Sequence, residues 1–181
     1  GGLCHLGLSL VMIRLLPAYR ENNQLGLMRG LIFGGRLAAV GLGTLVAALG
    51  IGGLWLFGPM ITGPYLLPLY LALFCVPLFA LTDVQDGIGR GQAWMDIALL
   101  PPYVLRPLML LVAMLGANLF GLPMRAETAA GAAIAATWIA AIVQLLLVNR
   151  RLGQTLEAGE RQYAWKDWWK VSVPLLVIAA C

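Results

Sequence analysis

Four apolar runs, each near or above the length of a bilayer crossing, constrain this chain more than any other feature: residues 31–57, 65–82, 97–119 and 128–148. A membrane helix needs about 20 mostly apolar residues. One such run could be a buried helix of a soluble domain. Four of them in 181 residues could not all be covered by the polar surface available, because only 11% of the residues are charged and 61% are hydrophobic. A soluble domain is about 45–50% apolar and about 25% charged. The mean hydropathy of +0.86 points the same way. Lipid offers backbone groups no hydrogen-bond partners, so the runs should fold as helices. The expected fold class is all-α: a polytopic transmembrane helical bundle, partial, with four full spans and two truncated ones.

The truncated spans are residues 1–13 and 171–181, apolar runs too short to cross alone. The first has no basic region before it and no small-residue cleavage site after it, so it does not read as a signal peptide. Both are expected to be ends of longer spans. Residues 1–148 then form the end of one bundle, 149–170 a cytoplasmic linker with an interfacial amphipathic segment, and 171–181 the start of a second bundle.

The basic residues set the orientation. Connections 14–30, 83–96 and 149–170 carry nine of the twelve: Arg14, Arg20, Arg29, Arg90, Arg150, Arg151, Arg161, Lys166 and Lys170. The intervening connections, 58–64 and 121–127, carry one, Arg125. Arg36 and Arg106 lie within spans. By the positive-inside rule the three basic connections are cytoplasmic, and the alternation checks the span count. A basic surface divided among membrane connections implies a phospholipid bilayer as partner, and no nucleic acid.

Arg106 is the most informative side chain. It lies nine residues into its span, about 14 Å deep at 1.5 Å per residue, near the middle of a hydrocarbon core about 30 Å thick. A cation there costs at least about 2.5 kcal/mol and should face a partner or a wet cavity. Pro101, Pro102 and Pro107 surround it and predict a kinked or broken helix, since proline removes backbone donors. Broken helices with a buried charge are typical of transport sites. Arg106 is therefore either a cation lining an aqueous cavity or a structural arginine neutralised by a carboxylate or by helix carbonyls. Arg36, about 8 Å into its span, is placed to snorkel to the headgroups or to pair with Asp83 on the next span. Asp86, Arg90 and Asp96 read as a solvated loop. Gln144 and Asn118 read as helix–helix hydrogen-bonding residues.

Smaller patterns have packing explanations. Gly26, Gly30 and Gly34, followed by Ala38, recur every four residues and predict close approach of helix backbones. Gly87, Gly89 and Gly91 follow no strand and lack dinucleotide-site spacing. Trp165, Trp168 and Trp169 fall on one helical face with Lys166 and Lys170 on another. That pattern fits an interfacial linker helix, or an aromatic belt opening a span. Cys4, Cys75 and Cys181 form no metal or redox motif and read as small apolar packing residues. The single histidine, His5, has no catalytic partner set. No catalytic residues, cofactor or metal site are expected, and the chain does not read as an enzyme.

One stretch resembles a known family. Residues 85–111 read QDGIGRGQAWMDIALLPPYVLRPLMLL. They resemble the segment joining the fourth and fifth helices of bacterial polysaccharide (O-antigen type) flippases, in the multidrug/oligosaccharidyl-lipid/polysaccharide exporter superfamily. The shared features are Gly89-Arg90, Leu100-Pro101-Pro102, and Leu105-Arg106-Pro107 opening a leucine-rich half-helix. The stretch IRLLPAYREN, residues 13–22, is similar to that family's connection between helices two and three. The basic connection after the fourth span is similar to its link between two six-helix halves. The resemblance implies a two-bundle fold around a central cavity in the bacterial inner membrane. It implies a lipid-linked saccharide as cargo, for lipopolysaccharide or other surface polysaccharide biosynthesis, with polysaccharide-assembly proteins as partners. Arg106 and Arg36 would then meet the cargo's pyrophosphate or acidic sugars. No acidic residue lies deep in a span to suit cation coupling. The alternatives are a multidrug-type antiporter of the same superfamily, a membrane-embedded glycan polymerase or transferase, and a structural subunit.

Overall fold

The apolar runs do form helices, and the helices outrun them. The structure, a computed structural model, describes residues 8–57, 66–119, 126–156 and 159–180. Along the chain lie α1 (Leu8–Glu21), α2 (Leu25–Phe57), α3 (Leu66–Gly91), α4 (Met95–Leu100), a π-helical turn (Pro101–Leu105), α5 (Arg106–Leu119), α6 (Ala126–Thr155) and α7 (Trp165–Ala180). No strand occurs among the described residues. Among the described residues four segments are long and apolar enough to cross a membrane: Leu25–Leu56, Leu69–Gly91, Met95–Leu119 and Thr128–Thr155. The chain is thus an all-α polytopic bundle. Cys4, His5, Arg125 and Cys181 lie outside the described residues, as does connection 58–64.

The spans read from hydropathy end too early on their basic sides. Residues 83–91 continue α3, residues 149–155 continue α6, and α2 begins six residues before residue 31. Hydropathy marks where hydrocarbon ends, but a helix already nucleated continues as long as each residue adds a backbone hydrogen bond. Most of connections 14–30 and 83–96 is therefore helical, and each contains only a three-residue turn.

Those two turns are built alike. In the first, the Asn23 and Gln24 N–H groups donate to the carbonyls of Arg20 and Tyr19, at 3.2 and 2.9 Å. In the second, Ala93 and Trp94 donate to Arg90 and Gly89, at 3.0 and 2.8 Å. This is the Schellman arrangement, which satisfies the last carbonyls of a helix through one left-handed residue. Asn23 (φ 53°) and Ala93 (φ 60°) are those residues. Each turn folds two helices into an antiparallel pair at the basic end of the bundle.

In lipid, apolar surface gains nothing by leaving one hydrocarbon phase for another, so helices associate through close packing. α3 is the central element, touching α1, α2, α4 and α6. A Cβ on Gly87 would meet Ser9 backbone atoms at 2.7 and 2.8 Å, and one on Gly91 would meet the Met12 carbonyl at 2.8 Å. A Cβ on Gly89 would meet Ala98 of α4, and one on Gly43 would come within 2.7 Å of Pro77 Cα. The triplet Gly87, Gly89 and Gly91 is thus a packing device for α1 and α4. Val11, Met12 and Leu16 of α1 join Leu31, Val84, Ile88, Val148 and Trp168 in one buried cluster. Trp55 (77% exposed) and Leu119 (85% exposed) lie on the outer surface with many other large apolar side chains, as a lipid-facing boundary requires.

Gly87→Ala should therefore lower the thermal midpoint in detergent, equivalent to about 1–3 kcal/mol of overpacking. Gly131→Ala, on α6 with open space around it, should leave the midpoint unchanged or raise it. Equal effects at the two positions would contradict this packing.

Candidate functional site

The π-helical turn positions Arg106. Pro101 and Pro102 contribute no backbone N–H, and Pro107 contributes none to the next turn. The Arg106 N–H instead reaches back five residues to the Pro101 carbonyl. The helix is therefore not broken into two: it passes through one widened turn and continues as α5. Such turns recur at functional sites. Here the turn carries the Arg106 side chain onto the face shared with α3 and α6. Its guanidinium lies 4.4 Å from the centre of the Phe79 ring, a cation–π contact. Arg106 lines a cavity of about 190 Å³ with Cys75, Phe79, Ala133 and Thr137. The mid-span cation is thus directed into the bundle.

Arg36 lies elsewhere. It is eleven residues from the start of α2, and its Nη1 donates to Asn149 Oδ1 on α6 at 2.7 Å. Its Nε and Nη2 are buried without hydrogen-bond partners among the described residues. These groups therefore do not snorkel to water. Thr137, beside Arg106, and Asn149, beside Arg36, are twelve residues apart on α6, about 18 Å at 1.5 Å per residue. Arg36 and Arg106 line different cavities.

Arg36 has cationic company that the sequence reading left in connections. Phe33 and Arg29 lie one and two turns before it on the same face of α2, and Arg161 approaches from residues 159–164. Together with Leu152 of α6 and Leu156 just beyond its end they wall a cavity of about 310 Å³. Arg161 lies 4.3 Å from the Phe33 ring centre. Arg29 Nε is a third buried donor without a partner among the described residues.

The glycine stripe of α2 brings Arg161 there. The stripe reads as a helix-packing surface, but at Gly26 and Gly30 it receives the non-helical linker. Gln162 N–H donates to the Gly26 carbonyl at 3.0 Å. A Cβ on Gly30 would collide with the Gln162 carbonyl, and one on Gly34 would meet the rings of Trp165 and Trp168. Non-helical backbone gains a hydrogen bond to the Gly26 carbonyl that it does not have within its own segment. Trp165–Lys170 forms the first turns of α7. Trp168 is buried, and its Nε1 donates to Tyr19 Oη at 3.1 Å.

The remaining polar candidates separate. Arg90 pairs with Asp86 one turn back on α3, Nε to Oδ2 3.0 Å, and both are partly buried. Asp83 lies one turn before Asp86, partly buried. Asp96 is exposed and pairs with Arg151 at 2.6 Å, tying the start of α4 to α6. Asn118 is exposed on α5, which leaves it no helix–helix role on that face. Gln144 is fully buried, but its amide atoms have no hydrogen-bond partner, and the same holds for Gln85 on α3. Among the described residues no helix supplies the hydrogen bond expected of Gln144, and Gln85 is a buried polar group that hydropathy alone does not single out. No metal-binding cluster of His, Cys, Asp or Glu occurs among the described residues. A further cavity of about 490 Å³, walled by Val40, Ala47, Phe74, Leu78 and Trp138, is almost wholly apolar.

The fold defines a polytopic α-helical membrane protein, with cations turned into the bundle at two levels. No family model, curated protein or solved structure matches the chain.

Adding one methyl group at Gly30 should unseat residues 159–164. Gly30→Ala is expected to speed tryptic cleavage at Arg161 severalfold in the folded, detergent-solubilised protein, with the helices otherwise protected. Unchanged cleavage would show that the linker does not lie in this groove.

Proposed function

We propose that this chain works in a membrane transporter that flips a lipid-linked oligosaccharide or polysaccharide precursor. The membrane is the bacterial cytoplasmic (inner) membrane, and the product feeds lipopolysaccharide or other surface-polysaccharide assembly. One observation carries the reading: Arg106, a cation near mid-membrane, lies over the Phe79 ring and faces a cavity between α3, α5 and α6, and an irregular helical turn holds it there. An intramembrane arginine is costly. A site that needs a positive charge for an anionic cargo gives a reason to bear that cost.

The apolar cavity complements this reading. A lipid-linked saccharide is amphipathic, with a long hydrocarbon tail and an anionic phosphate-sugar head. The 490 Å³ cavity between α2, α3 and α6 offers hydrocarbon walls, and Arg106 offers charge. The resemblance of residues 85–111 to polysaccharide flippases supports the same cargo class. Transport of this kind needs no cofactor and no catalytic residues in the chain.

The test is restoration of surface polysaccharide in a strain lacking its own flippase, using the full-length protein. Arg106→Gln is expected to lower restoration by about tenfold or more, the loss of one charge-assisted contact, while membrane insertion is unchanged. Arg106→Lys should retain part of it. Full restoration by the Gln variant would remove Arg106 from the mechanism, and with it the observation on which the assignment rests.

A further inference from the structure

The cavity at the basic end of α2 lies apart from the Arg106 cavity that carries the transport reading, although the flippase resemblance would also set its Arg36 against the cargo, and its chemistry is specific. Three guanidinium groups, Arg29, Arg36 and Arg161, wall a space of about 310 Å³. Among the described residues none of its walls is acidic. Arg36 spends one N–H on Asn149, while Arg36 Nε, Arg36 Nη2 and Arg29 Nε are buried donors without partners among the described residues. A buried guanidinium N–H left unsatisfied is strongly unfavourable. Basic residues at a membrane surface ordinarily extend into water or headgroups; Arg161 is exposed, but these N–H groups of Arg29 and Arg36 are not. A liquid water takes up about 30 Å³, so the cavity has room for a group well beyond a single solvent molecule.

We propose that this cavity binds a phosphate group at the cytoplasmic face, held by Arg29 and Arg36 from α2 and by Arg161 from the linker. Phosphate matches the donor set: several acceptor oxygens meet planar guanidinium forks, and the negative charge offsets the gathered positive charge. The site is closed by the linker. Arg161 reaches it only because Gln162 is hydrogen-bonded to Gly26 and packed against Gly30. Arg161 is further fixed over Phe33. A bound phosphate therefore ties residues 159–164 to α2, and through them orients the start of α7. The ligand is an anchor for the linker, separate from the Arg106 cavity, and its source is either an anionic lipid headgroup or a free phosphate compound.

The experiment is a binding measurement on the full-length protein in nanodiscs, with transport playing no part, so its outcome is independent of the flippase reading. One arm uses discs of phosphatidylcholine alone and titrates inorganic pyrophosphate. The other uses phosphatidylcholine discs with added phosphatidic acid. A rise in thermal midpoint in the first arm identifies a free phosphate compound; a rise only in the second identifies a lipid headgroup. Arg161→Gln is exposed on the linker and should not disturb folding. It and Arg29→Gln should each weaken the effect about tenfold or more, whereas Arg20→Gln, an exposed arginine on α1, should leave it intact. Absence of any shift in both arms would overturn the proposal, as would a shift that Arg161→Gln and Arg29→Gln do not reduce.

Discussion

Close backbone approach at glycine is the interaction from which the rest of this structure follows. In hydrocarbon the helices have no solvent-driven reason to associate, so contact distance decides what packs. Gly87 and Gly91 let α1 lie against α3, and Gly43 lets α2 lie against Pro77. With α2 fixed in place, its own groove at Gly26 and Gly30 takes in residues 159–164. That segment delivers Arg161 to Arg29 and Arg36, so the cationic cavity depends on small residues several steps removed from it.

The two cationic levels handle charge differently. Arg106 is met by an aromatic face, which attracts a cation without neutralising it and leaves room for a further anionic group. Arg36 is met by one amide oxygen and otherwise by buried space. Neither resembles Arg151, whose contact with Asp96 lies on the exposed surface and contributes little to stability. The surface pair ties helix ends together, while the inward arginines are stored electrostatic potential. Gln85 and Gln144, buried with unsatisfied amides, add polarity inside the α3 and α6 part of the same bundle.

Much of this was legible from residue order. The apolar runs marked all four spans, because only lipid tolerates so much uncovered hydrocarbon. The prolines around Arg106 marked the irregular turn, although a π-helical turn absorbed them without breaking the helix. What hydropathy could not show was where helices continue beyond the hydrocarbon, so residues 83–91 of α3 read as a connection. Arg29 and Arg36 are seven residues apart, a spacing that places them on one helical face, so half of the arginine cavity was present in the spacing. Arg161 was not, since its position depends on a long-range fit between a non-helical linker and a glycine groove. The Gly26, Gly30 and Gly34 stripe is a close-contact surface as expected, but only Gly34 faces a helix, α7, while Gly26 and Gly30 take in the linker, because periodicity identifies the groove and not its occupant.

The claim beneath all of these is that the helices cross a bilayer with both Schellman turns on the same, cytoplasmic side. Single cysteines at Asn23, Ala93 and Thr62, placed in a full-length background with the three native cysteines replaced by serine, test it directly with a membrane-impermeant thiol reagent. Thr62 belongs to the connection without basic residues, which the positive-inside rule places outside. In intact spheroplasts the account expects labelling at position 62 alone, and labelling at 23 and 93 only once the membrane is opened. Equal labelling of all three before permeabilisation, or of 23 without 93, would contradict it.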